Sequence, residues 1–140
     1  MLIGLPGSGK STWLARQGIA ALSSDWIRQV LADDPADQKI HARIFLTMRY
    51  LLRHRLAIGR PVSYMDATHL TPEERLPYIR IGQWYGCDVE ALFFDVPLEI
   101  CRERNLRRAR VVPDEAIERM AARLTPPAMA EGFTKITVVR

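Results

Sequence analysis

Cysteine is scarce in this 140-residue chain: only Cys87 and Cys101 are present, and neither belongs to a metal-type spacing. A disulfide scaffold and a zinc knuckle are therefore excluded, and both thiols are expected to be buried in a reducing compartment. No apolar run approaches the roughly 18 residues that a membrane-spanning helix requires, so no membrane partner is expected. No basic-then-apolar leader precedes the glycine-rich loop that begins at residue 4, which points to a cytoplasmic protein. Repeats, linkers and low-complexity tracts are missing too. Lysine is rare: of 20 cations, three are lysine and 17 arginine, the side chain whose planar fork matches phosphate oxygens. Acids are absent between Gln38 and Met65. The remaining composition, 48% hydrophobic and 26% charged with a net charge of +4, is that of one globular domain over residues 1–140.

Residues Gly4 to Ser11 read G-L-P-G-S-G-K-S. A glycine, four residues and then Gly-Lys-Ser form a loop whose N–H groups converge on a nucleotide's β-phosphate. Gly4, Pro6, Gly7, Ser8, Gly9, Lys10, Ser11 and Thr12 are the expected nucleotide-binding residues. In that pattern Lys10 reaches the β- and γ-phosphates, the Ser11 hydroxyl is a Mg²⁺ ligand, and the helix that follows presents its N-terminus to the anion. A glycine turn with an incidental lysine is the bland alternative. An apolar start before the loop and helical character after it speak against that alternative.

Along the rest of the chain, short apolar runs alternate with helical patterns. Strands are expected at Met1–Gly4, Ile19–Ser23, Pro61–Asp66, Val89–Val96 and Ile136–Val139. Helices are expected over Lys10–Gln17, Asp25–Ala32, Asp37–Ile58, Thr71–Tyr85, Pro97–Arg107 and Pro113–Leu124, with a chain break at Asp33-Asp34-Pro35. Gly59 and Pro61 supply a stop for the long helix, while Thr71 and Pro72 supply an N-cap and first position. The fold class is α/β: a P-loop NTPase with a mostly parallel five-stranded sheet, helices on both faces, and an arginine-bearing helical lid at about 98–124.

In such a sheet the ligand lies beyond the carboxyl ends of the strands. Asp25, just past the second strand, can there accept the proton of an attacking hydroxyl, and Arg28 can hold a phosphate of the acceptor. The alternative makes Asp25 the helix N-cap and Arg28 a surface cation. Asp66, ending the third strand, is either an acid that supports Mg²⁺ through water or a helix cap or loop-closing group. His69 reads as a loop residue rather than a base. Arg104 and Arg108, four apart on one helix face, can stabilise charge on a transferring phosphoryl group. Glu99–Arg102 and Glu103–Arg107 are spaced as surface pairs. Lys39, Arg43, Arg49, Arg53 and Arg60 fall on one helical stripe opposite Ile40, Ile44, Met48, Leu51 and Leu52. Such a stripe is either a nucleic-acid contact or a solvated face.

Read in order, the glycine loop, S-D-W-I-R, M-D-A-T-H, F-D-V-P-x-E-x-C-x-x-R-N and the following R-R resemble the kinase domain of the 5′-polynucleotide kinases of bacteriophage and bacterial end-healing systems. The resemblance implies that Lys10 and Ser11 hold ATP, or another NTP, with Mg²⁺. It makes Asp25 the general base for a nucleic-acid 5′-hydroxyl and Arg28 a contact to the neighbouring phosphate. Asp66 becomes an active-site acid, and Arg104 and Arg108 belong to the lid over the nucleotide, with Arg108 catalytic beside Lys10 and Asp25. A phosphatase or ligase partner, in this reading, is a separate chain. Two other readings stay open: a kinase of a small alcohol, nucleoside or antibiotic, and a regulatory nucleotide-binding switch.

Overall fold

The computed structural model describes residues 1–34, 37 and 39–140. Five strands, β1 (Leu2–Ile3), β2 (Leu22–Ser23), β3 (Met65–Asp66), β4 (Glu90–Phe94) and β5 (Lys135–Val139), form one sheet in the order β2-β3-β1-β4-β5. Every pairing is parallel, so the sheet is wholly rather than mostly parallel. Among the described residues six α-helices surround it: α1 (Lys10–Gln17), α2 (Ser24–Ala32), α3 (His41–Ala57), α4 (Pro72–Trp84), α5 (Leu98–Leu106) and α6 (Asp114–Arg123). The first three strands are shorter than their apolar runs, because the ladder register pairs only Leu22 with Met65, Ser23 with Asp66 and Leu2 with Asp66 on that side. The break at Pro35 lies outside the described residues. The long helix begins at His41 rather than Asp37.

Alternation along β1 separates two cores. Ile3 packs with Met65 and Phe93 against Ile27 of α2, Ile44, Met48 and Leu52 of α3, and Tyr78 and Ile79 of α4. Leu2 points the other way and packs with Phe94 against Leu14 and Trp13 of α1. The sheet is thereby covered on both faces, which is why its strands read as near-continuous apolar runs. A third cluster, Leu5, Leu70 and Cys101 with Met120 and Leu124, seats α5 and α6 over the carboxyl ends of the strands. The start of α4 follows its sequence signal, with the Thr71 hydroxyl accepting from the Glu74 N–H at 3.3 Å and Pro72 in the first turn.

Below the lid, Arg75 of α4 is fully buried and fully used. Its guanidinium donates to Glu131 at 2.7 and 2.9 Å and to the carbonyls of His69, Leu70 and Thr125. One side chain therefore ties α4 to the loop after β3, to the segment leaving α6, and to the short 3₁₀ turn Met129–Glu131. His69 has φ +48 and packs its ring edge-on against Tyr78. Its Nδ1 lies 2.6 Å from the Leu2 carbonyl. Burial pushes His69 down to about 3, so it is neutral and structural rather than a base. Cys101 is buried as expected, but Cys87 is exposed in the turn after α4, where no core reaches it.

Candidate active site

The glycine loop leaves β1 and turns into α1. Gly7 has φ +82 and Gly9, the residue before α1, has φ +98. A Cβ on Gly7 would stand 2.4 Å from the Cys101 carbonyl oxygen, so only hydrogen fits between the loop and α5. A Cβ on Gly9 would stand 3.6 Å from Arg104 Nη1, which places that guanidinium over the loop. The Lys10 ammonium donates to the carbonyls of Gly4 at 2.8 Å and Leu5 at 2.9 Å. Burial pushes Lys10 down to about 8, against the raising influence of Asp66.

That value has a measurable consequence. A lysine that loses its proton near pH 8 must regain it to balance a phosphate, so binding above pH 8 takes up a proton. ATP affinity is expected to fall by up to about tenfold per pH unit above pH 8, as one-proton linkage requires. Calorimetric titration from pH 7 to 9.5 checks this, and a pH-independent Kd would refute it.

A cavity of about 1120 Å³ opens over the carboxyl ends of the strands. Pro6, Gly7, Gly9, Lys10, Ser11 and Thr12 form one wall, and Asp66 lies at its base. Asp25 and Arg28 of α2 and His41 and Phe45 of α3 line the same cavity. Gly4 and Ser8, expected at the phosphate, do not line this cavity. The Gly4 N–H donates to the Thr68 carbonyl at 3.0 Å, and Ser8 is buried with its hydroxyl 3.5 Å from Lys10 Nζ. Both shape the loop from behind.

Asp25 is not the cap of α2. Ser23 is, its hydroxyl accepting from the Trp26 N–H at 3.4 Å. The Asp25 carboxylate is therefore left for the cavity, where it is 46% exposed and meets Arg28 at 3.5 Å, Arg108 at 3.9 Å and Arg110. Arg28 is not a surface cation either: it is 4% exposed, its Nη2 lies 3.1 Å from His41 Nδ1, and its Nε has no partner among the described residues. Trp26, beside the base candidate, is exposed and does not line the cavity. Asp66 is buried, and burial raises its carboxyl above the usual range while Lys10 pulls it back down. Thr71 caps the helix after Asp66, so Asp66 has no capping duty.

The lid is built differently from its sequence pattern. Helix α5 ends at Leu106, so Arg108 lies beyond the helix instead of one turn along it. The buried Asn105 closes the following loop, donating to the Val112 carbonyl at 2.7 Å and accepting from the Val112 N–H at 3.0 Å. This loop carries Arg108 and Arg110 to Asp25 while Arg104 stays over the glycines. Glu103–Arg107 forms as expected at 2.6 Å. Arg102 instead bridges to Asp114 and Glu118 of α6, stitching the two lid helices together, and not to Glu99.

A family model described as an AAA domain matches residues 1–127. The chain belongs to this family. L-seryl-tRNA(Sec) kinase of Mus musculus is 31% identical over 72 residues, which is 51% of this chain and 20% of that protein. The chain thus spans about a fifth of that relative's length. Among solved structures, the APS kinase of Mycobacterium tuberculosis in complex with AMPPNP and APS superposes with a TM-score of 0.59 at 21% identity, covering 98% of this chain and 85% of that one. The two chains therefore share one fold over nearly the whole length of this one.

Several residues of this cavity had no distinct signal in the sequence. Arg107, Arg110, Arg119 and Arg123 all reach the cavity, as does His41. Their positions depend on where α5, α6 and α3 begin and end, which helical periodicity leaves open by a residue or two. Asn105 could have been found: it is the asparagine of the R-N pair that precedes the arginine run.

Proposed function

We propose that this domain transfers the γ-phosphoryl group of ATP to an alcohol hydroxyl held between Asp25 and the phosphate loop. The observation that carries the reading is convergence: Lys10, Ser11, Asp25, Asp66, Arg104 and Arg108 come from five separate segments and line one cavity. Asp25 accepts the hydroxyl proton as the oxygen bonds to the γ-phosphorus. The bond from that phosphorus to the β–γ bridging oxygen breaks, and ADP leaves. Lys10 exchanges a loop carbonyl for phosphate oxygen, and Arg104 and Arg108 meet the charge that grows on the transferring group. No cluster of three or more His, Cys, Asp or Glu among the described residues could hold a metal unaided. The Ser11 hydroxyl and the Asp66 carboxyl are hard oxygen donors, and suit a Mg²⁺ that keeps mostly phosphate oxygens and water. When bound, that ion would neutralise phosphate charge.

A compact acceptor, a small alcohol or nucleoside, is the favoured substrate. Of the stripe's basic residues, Arg43, Arg49 and Arg53 of α3 and Arg60 beyond its end all lie off the cavity, so the long stripe does not grip the region around the reacting hydroxyl. A nucleic-acid 5′-hydroxyl is the second reading, supported by Arg28: a buried arginine beside the base suits an acceptor phosphate. The mouse relative, by its name, acts on a seryl group carried by tRNA, which joins the two chemistries. A regulatory nucleotide switch would not need a carboxylate facing the nucleotide's terminal phosphate.

Labelled ATP offered with a panel of small alcohols and nucleosides, and separately with a 5′-hydroxyl oligonucleotide, distinguishes the readings by where the label appears. Hydrolysis alone, with no labelled acceptor, would overturn the kinase reading. On the accepted substrate, Arg28→Ala is expected to raise the acceptor KM by about 10–100-fold, the cost of one charged hydrogen bond, and leave the KM for ATP within twofold. Equal changes in both would remove Arg28 from the acceptor side.

A further inference from the structure

The outer face of α3 and the adjoining end of α4 carry a surface that the kinase cavity does not use. Leu46, Thr47, Arg49, Tyr50 and Arg53 line a shallow groove of about 420 Å³ there. Tyr50 is 60% exposed and Trp84, at the end of α4, is 72% exposed. The Arg53 guanidinium lies 5.9 Å from the centre of the Trp84 ring, and Tyr50 meets His54 edge-on at 4.5 Å. At 100° per residue, Arg43, Leu46, Thr47, Tyr50, Arg53 and His54 share one side of α3, opposite the buried Ile44, Met48 and Leu52.

The charge on this face is unbalanced. No acid occurs from Gln38 to Met65, and among the described residues Arg43, Arg53 and Arg60 enter no ion pair. Several arginines elsewhere are paired with carboxylates, among them Arg75, Arg102, Arg107 and Arg123. Isolated cations alone would suit any polyanion. Two large aromatic rings left in solvent among them add a preference for flat, stacking groups linked by negative charge.

We propose that this face binds single-stranded nucleic acid, with bases stacked on Tyr50 and Trp84 and phosphates met by Arg43 and Arg53. His41, at the N-terminal end of the same helix, lines the kinase cavity, so a strand laid along α3 toward that end approaches the cavity. The inference goes beyond the kinase reading and holds for either class of acceptor.

The test is fluorescence anisotropy of a labelled single-stranded RNA, with the DNA of the same sequence beside it, at 50–200 mM salt and without ATP. The wild type is expected to bind, and the double variant Arg43→Glu/Arg53→Glu to bind at least tenfold more weakly with the salt slope reduced by about 2. Trp84→Ala is expected to lose about tenfold and Trp84→Phe to keep most of the affinity, which separates stacking from loss of fold. ATP binding stays unchanged in all three, because none of these residues lines the cavity. Failure of the wild type to bind, equal binding by the charge-reversed variant, or equal affinity for polyglutamate would overturn the proposal. So would light scattering that shows the patch pairing two copies of the chain. Because no transfer is measured, these results stand apart from success or failure of the kinase assay.

Discussion

Asp25→Asn is expected to lower phosphoryl transfer by about 10²–10⁴-fold, the usual worth of a positioned general base, while ATP still binds. Asparagine keeps the shape of the side chain and one carbonyl oxygen, so α2 and its Ser23 cap are undisturbed. What disappears is the ability to take a proton. The substitution also removes the negative partner of Arg28, Arg108 and Arg110, which leaves more free positive charge in the cavity and does not oppose nucleotide. The loss should therefore fall equally on kcat and kcat/KM for the acceptor, the pattern of an interaction used in the transition state. Transfer kinetics with labelled ATP, alongside calorimetric titration of ATP, measure both halves. Near-normal turnover would remove Asp25 from the role of base.

The largest effect on stability is expected from Arg75→Ala. Arg75 is 0% exposed and its bidentate partner Glu131 is 13% exposed, so truncation strands a largely buried carboxylate together with the carbonyls of His69, Leu70 and Thr125. Breaking a buried pair by removing one partner costs about 3–5 kcal/mol. For a domain of this size that corresponds to a fall in Tm of roughly 10–20 °C. Arg75→Lys retains charge but not the fork, and should fall between the two. The double variant Arg75→Met/Glu131→Leu should melt higher than Arg75→Ala, because it leaves no lone charge. Thermal melts of the three proteins check the ordering. A melt for Arg75→Ala within about 2 °C of the wild type would show that the hub carries little of the fold's stability.

The proposed chemistry makes the lid loop an active participant. Asp25 is surrounded by three guanidinium groups, two of them delivered by the segment that Asn105 closes. A hydroxyl approaching Asp25 must share it with Arg110. An arginine displaced from Asp25 has phosphate oxygen as its natural next partner, since the same loop carries Arg108.

Much of this was legible in the residue order. The Gly4–Ser11 pattern fits one kind of turn, because only glycine accepts the backbone angles at Gly7 and Gly9. The Thr71-Pro72 start, the alternation of apolar runs with helical periods, and the buried stripe of Ile44, Met48 and Leu52 are local patterns that survive folding unchanged. Local signals alone left Asp25 and Arg28 divided between a helix start and a site. Ser23 takes the cap, which removes the helix-cap reading of Asp25, and the burial of Arg28 removes its reading as a surface cation.

By itself, then, the order of residues determined the parallel α/β plan and the phosphate loop, since both follow from short-range backbone preference and from which side chains avoid water. Only the tertiary structure decided that Arg108 leaves the helix to reach Asp25, that Arg102 links α5 to α6, and that Arg75 fastens four segments together. A charged side chain has several partners of equal chemistry within the chain. Which one it meets is selected by the packing that brings distant segments within hydrogen-bonding reach.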